Sequence, residues 1–203
     1  MSAQGLIHGP LGRNCIHLCV DMQGLFEAGA PWAVPWMERV VPVIEALTEA
    51  HAPATIFTRF IPVKRAEEAP GSWSRYYRRW ADVTLEKIDP ALVEIVPNLA
   101  RFVPPARVFD KHVYSPWTEG ALDRLLGGSE TDAIVITGGE TDVCVLATVL
   151  GAVDRGYRVV LVADAICSSA DETHDALMRV YRSRFSEQIE LATVEEILDD
   201  WRL

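Results

Sequence analysis

The chain has 203 residues, is 49% hydrophobic and carries a formal net charge of −10. That length suits one sizeable core, so a single domain over 1–203 is expected, and the acidic balance excludes a nucleic-acid partner, whose phosphates need Lys and Arg. The N-terminal stretch MSAQGLIHGPLGRN has no apolar h-region, and no window reaches the roughly 18 apolar residues of a membrane span; a cytoplasmic protein acting on a small molecule is expected.

Short runs rich in Val and Ile mark strands at Cys15–Val20, Ala54–Phe60, Arg107–Phe109, Ala133–Thr137, Arg158–Val162 and Gln188–Leu191. Helical spacing separates most of them, over Val34 to Ala50, Ala121 to Leu126, Asp142 to Arg155, Asp171 to Arg184 and Val194 to Trp201. Thr141 or Asp142 and Asp171 are N-cap candidates, and Gly156 suits a helix C-terminus. The alternation predicts an α/β fold: an open, doubly wound, mostly parallel six-stranded sheet with helices on both faces. Residues 62–105 break the rhythm. They are Pro-punctuated, with Trp73, Tyr76, Tyr77 and Trp80 among Arg75, Arg78 and Arg79, and read as an insertion that is either a subunit contact or a lid over a pocket.

Ligands of open α/β sheets bind beyond the carboxyl ends of the strands. Asp21 ends the first apolar run in CVDMQ, Lys111 follows the third in VFDKH, and Cys144 comes shortly after the fourth in ITGGETDVCV. Gly138 and Gly139 permit a tight strand-to-helix turn, which places Cys144 in a first helical turn. There free N–H groups and the helix dipole favour a thiolate and can serve an oxyanion. Cys15, Cys19 and Cys167 sit within or just after apolar runs and read as core thiols; the four cysteines form no CxxC pair, so neither disulfides nor a zinc site is indicated. Taken singly, an Asp at a strand end is usually a turn residue, a Lys solvated and a Cys core. Spacing alone leaves each of the three a weak candidate.

The stretches VDMQ (Val20–Gln23), DKHVYSPW (Asp110–Trp117) and TGGETDVCVLATVLGAVDRGYRVVLVADAICS (Thr137–Ser168) resemble the isochorismatase-like cysteine hydrolase superfamily, which includes nicotinamidases, carbamoylsarcosine amidohydrolases, ureidoacrylate and biuret-type hydrolases, and isochorismatases. The resemblance implies Asp21 as base, Lys111 as electrostatic partner and Cys144 as nucleophile. It also implies a cis peptide before Glu140 and an oxyanion hole from the backbone N–H groups of Glu140 and Cys144, as well as a homo-oligomer, dimer or tetramer. Nicotinamidases of the superfamily carry an Asp-x-His pair and a further His after the second strand; here that region reads TRFIPVKR, so no metal or other cofactor is expected.

Pocket walls are expected from Gln23, Phe26, Trp117, Trp73 or Tyr77, and Glu140, whose carboxylate either faces the site or points outward. The expected activity is hydrolysis of a small amide, urea or carbamoyl C–N bond through a thioester. The alternatives are an isochorismatase-type vinyl-ether hydrolase and a catalytically silent binding protein on the same fold.

Overall fold

A computed structural model describes residues 5–127 and 130–202. Six strands, β1 (Cys15–Val20), β2 (Thr55–Phe60), β3 (Arg107–Lys111), β4 (Ala133–Gly139), β5 (Arg158–Cys167) and β6 (Ile189–Ala192), form one sheet in the order β3-β2-β1-β4-β5-β6, with every pairing parallel. Period-two alternation along the strands serves two cores at once. Cys15 and Cys19 of β1 join Val135 and Val160 on one face. There they pack against α1 (Met37–His51), which presents Val40, Ile44 and Leu47, and against Leu99 of α3 (Pro97–Ala100) and Ile197 of α7 (Val194–Asp200). Ile16, Leu18 and Val20 face the other way, with Ile134, Ile136 and Leu161. This second core is closed by Leu122 of α4 (Ala121–Leu126), Val145 and Val149 of α5 (Cys144–Asp154), and Met178 and Tyr181 of α6 (Asp171–Arg184).

The chain therefore winds in both directions from the centre, and the strand order reverses between β1 and β4. Their carboxyl ends open the crevice in which such sheets bind ligands.

Two strands run further than the apolar runs suggest: β4 to Gly139 and β5 to Cys167, with a register shift between Ile136 and Gly138. Glycine scores poorly as a strand former, yet Gly138 and Gly139 pair with Ile166 and Cys167 because a β-bulge tolerates them. Lys111, expected just after the third strand, is instead its last residue, opposite Phe60. Helix α5 begins at Cys144 and its N-cap is Val143, which makes no side-chain cap bond; Thr141 and Asp142 do not cap it. Both have stronger claims elsewhere: Thr141 Oγ1 donates to Cys167 O at 3.1 Å, and Asp142 accepts from Ser168 Oγ at 2.7 Å. Asp171 is likewise the first residue of α6, and Ala170 is its N-cap.

The 62–105 segment is built around α2 (Ser72–Arg79) and short 3-10 turns. Tyr77 packs with Phe60, Ala66 and Ala69, and Val83, Ile88 and Val93 enclose Leu25. These two small cores lie beside the carboxyl ends of β1 and β2, so the segment is held against the crevice.

Candidate active site

The crevice starts at the end of β1. Asp21 has φ +51°, a left-handed conformation few non-glycine residues adopt, and its N–H donates to Thr58 Oγ1 at 3.1 Å. The same hydroxyl donates to Asp21 Oδ1 at 2.5 Å, so one residue of β2 fixes both backbone and carboxylate. Oδ2 lies 2.7 Å from Lys111 Nζ in an ion pair, and no second donor reaches that oxygen among the described residues. Its lone pair is open to a proton.

Lys111 arrives from β3, two strands away, with 2% of its surface exposed. Its ammonium donates to Val113 O at 3.2 Å and to Cys144 Sγ at 3.4 Å, and stands 5.2 Å from the centre of the Phe60 ring. Cys144 is placed by the turn that ends β4. Gly138 has φ +102°, and a Cβ there would meet Val20 O at 2.1 Å; only glycine lets the turn pass this close to β1. The Gly139–Glu140 peptide is cis. Beyond it, Thr141 N and Oγ1 both donate to Cys167 O, while His174 Nδ1 lies 2.9 Å from the same hydroxyl and pins the loop to α6. Among the described residues neither the Glu140 N–H nor the Cys144 N–H meets a backbone acceptor.

Three sequence candidates 90 and 33 residues apart thus meet: a carboxylate and a thiol, each in contact with the one ammonium. Burial, reinforced by the charge of Asp21 and opposed by Lys111, raises the Cys144 thiol above its ordinary range. The helix start does not by itself make a thiolate; at rest the proton stays on sulfur. Burial works to lower Lys111, but attraction to Asp21 and Cys144 outweighs it and the ammonium is held charged. The site is a thiol beside a proton acceptor, with a fixed positive charge at both.

Cys144 opens on a cavity of about 410 Å³, within the range of small-molecule sites. Of the expected walls, Phe26 and Glu140 line it. Gln23 does not: it is fully buried, its amide accepting from Phe60 N at 2.7 Å and donating to Val93 O at 2.6 Å, and it ties the 62–105 segment to β2. Trp117 is core; its Nε1 donates to Thr148 O at 2.9 Å, and its ring fills the space a Cβ on Gly151 would take. Tyr77 is buried in the small core beside Phe60, and Trp73 stands behind the wall, 4.8 Å from the ring of Tyr114.

The aromatic wall is made instead by Trp32, Phe60, Tyr76, Tyr114 and Trp80. On α2, Tyr76 and Tyr77 are adjacent and point to opposite duties, a distinction of one helical step. Trp32 lies in a loop without periodicity, so no pattern singled it out. Arg75, Arg78 and Arg79 are exposed and do not line the cavity. Glu140 lines it together with Ser169, whose N–H at 2.9 Å and hydroxyl both donate to the Glu140 carboxylate at Oε2. Among the described residues no group of His, Cys, Asp and Glu is arranged to hold a metal ion, and no helix is long and apolar enough to cross a membrane.

A doubly wound parallel sheet with a buried thiol, ammonium and carboxylate at its switch point defines a class of cysteine-bearing α/β domains. The isochorismatase domain model matches residues 15–193, and the chain belongs to that family of hydrolases. It is 34% identical over 93 residues to isochorismatase family protein 1B of Dictyostelium discoideum, covering 45% of this chain and 44% of that one, so the match spans less than half of the relative's length. Among solved structures, a cysteine hydrolase from Pseudomonas syringae superposes with a TM-score of 0.76 at 24% identity over 92% of both chains. The N-carbamoylsarcosine amidase of Thermoplasma acidophilum does so with 0.70 at 21%, over 89% of this chain and 96% of that one. At these identities the likeness is one of fold.

Proposed function

We propose that the chain is a cysteine hydrolase of small amides, ureas or carbamoyl compounds, acting through a thioester on Cys144. The observation that carries this is the buried Asp21 carboxylate, ion-paired at 2.7 Å with the same Lys111 ammonium that touches the Cys144 thiol at 3.4 Å. Asp21 takes the thiol proton as sulfur attacks the carbonyl carbon, and Lys111 balances the charge on whichever group is anionic. The oxyanion is met by the N–H groups of Glu140 and Cys144, neither of which is taken by a backbone acceptor among the described residues. When the C–N bond breaks, Asp21 returns the proton to nitrogen and the amine departs, leaving a thioester. Water attacks that carbon, its proton passes through Asp21 to the sulfur, and the thiol is restored.

The names of the cysteine hydrolase and the N-carbamoylsarcosine amidase that share the fold support this reading. A vinyl ether bearing carboxylates, the substrate type suggested by the family name, is less well served. Among the described residues no Arg, Lys or His lines the cavity to meet an anion.

The test is mass spectrometry of the wild-type chain quenched during turnover in an ammonia-release screen of amides and ureas. An acyl adduct on Cys144 is expected, and Cys144→Ala should fold and lose activity by at least about a thousandfold, the scale of losing a nucleophile. Full activity in Cys144→Ala would sink the thioester route.

A further inference from the structure

The cavity carries an imbalance of charge that the cysteine chemistry does not use. Inside, the positive charge of Lys111 is matched by Asp21 at 2.7 Å. The remaining charged side chain on the wall is Glu140, whose donors, the N–H and hydroxyl of Ser169, both reach the same oxygen, Oε2. Tyr114 on the same wall is pushed up first by burial, then by Cys144, with a smaller contribution from Glu140. Around it stand aromatic faces. Trp32 is their hub, with ring centres of Phe60 at 5.9 Å, Tyr76 at 6.0 Å, Phe26 at 6.1 Å and Trp80 at 6.2 Å. Trp32 meets Trp80 at 83° and Tyr76 at 49°, so the rings are tilted against one another rather than stacked as one slab, and all three line the cavity. Arg79 lies 5.7 Å from the Trp80 ring without lining the cavity, and Lys111 Nζ stands 5.2 Å from the Phe60 ring, so Trp32 and Tyr76 are wall aromatics with no cation recorded over their rings.

Aromatic faces attract cations through their quadrupoles, and a carboxylate at the rim supplies the net charge. We propose that the cavity selects substrates bearing a positive charge, an alkylammonium or quaternary ammonium group near the scissile amide or urea, with Glu140 as counter-charge and Trp32 and Tyr76 as cage walls. This rests on the reading of the site as an amide-cleaving cysteine centre. The same arrangement rejects carboxylate substrates, because an anion would meet Glu140 with no cationic side chain on the wall to offset it.

The first measurement uses the wild-type chain and two probes of one shape that cannot be hydrolysed, choline and its neutral isostere 3,3-dimethylbutan-1-ol, titrated by tryptophan fluorescence. Choline should bind about tenfold tighter or more, the scale of a cation desolvated against aromatic faces. Glu140→Gln, which keeps the backbone N–H and an acceptor for Ser169, should abolish most of that preference. Equal binding of the two probes, tighter binding of the alcohol, or no binding of choline overturns the proposal, and the wild-type pair decides even if Glu140→Gln fails to fold.

The second measurement separates this from the chemistry: ammonia release from (trimethylammonio)acetamide and from neutral 3,3-dimethylbutanamide. Equal cleavage of both overturns charge selection and leaves the cysteine mechanism standing. A choline preference with no acyl adduct from any amide upholds the cation site and sinks the amide reading.

Discussion

Asp21 and Lys111 form a buried ion pair whose members are 1% and 2% exposed, so the fate of one depends on the other. Lys111→Met should leave the carboxylate unpaired in the interior and cost about 3–5 kcal/mol of stability, whereas adding Asp21→Asn to it should restore much of that loss. Urea unfolding of the two single variants and the double variant checks this. A double variant no more stable than Lys111→Met alone would show that the two charges are not coupled in the fold. Sequence position pointed to both residues, because strand ends converge in a parallel sheet. It did not point to Thr58, which lies in the middle of an apolar run yet holds both ends of Asp21. Its signal was only a hydroxyl on the strand next to β1, and choosing it required knowing that β2 is that neighbour.

At the scale of elements, the turn from β4 into α5 does most to place the sulfur. Of the paired glycines that marked it in the sequence Gly138 is needed, but the side chains expected to cap α5 brace the loop before α6 instead. Helix propensity and packing also disagree within α5. Gly151 lies in its interior, where Ala is better by up to about 1 kcal/mol in an isolated helix. Here a Cβ would meet Trp117 Cδ1 at 2.1 Å. Gly151→Ala should therefore destabilise, by about 1–3 kcal/mol from overpacking, and thermal melting should show a lowered Tm. An unchanged or raised Tm would mean that Trp117 can move aside.

The start of α7 obeys local rules: Thr193 Oγ1 accepts from Glu196 N at 3.3 Å and Glu196 Oε2 accepts from Thr193 N at 2.7 Å, a capping box. Thr193→Ala should cost about 0.5–2 kcal/mol by the same assay.

Across the whole molecule the sheet's centre carries a titratable group with no part in the proposed reaction. His17 in β1 is fully buried between Thr55 Oγ1 at 3.1 Å and Thr137 Oγ1 at 2.8 Å. Since Thr55 Oγ1 donates to His51 O at 2.9 Å, it accepts from the His17 Nδ1–H, which leaves Nε2 to accept from Thr137. Burial, with a smaller contribution from His51, lowers His17 from 6.5 to about 3. The unfolded chain therefore binds a proton in that interval that the folded chain refuses. The stability His17 contributes is present above about pH 6.5 and is lost as pH falls towards 3. His17→Gln should flatten the pH dependence of the unfolding free energy over this window by up to about 1.4 kcal/mol per pH unit, measured by urea titration. Identical slopes in the two proteins would contradict it.

The order of apolar runs and helical spacings determined the doubly wound sheet, because period two and period 3.6 are local properties that each segment carries with it. The motifs at the strand ends likewise led to Asp21, Lys111 and Cys144. Only the tertiary structure decided which aromatics line the cavity. Gln23, Trp117, Trp73 and Tyr77 went to the core or behind the wall, while Trp32, Tyr76, Tyr114 and Trp80 came forward to line the cavity with Glu140. The physical reason is that loop and short-helix side chains have no repeating face. Where they point is set by what packs against them, and their partners come from distant parts of the chain.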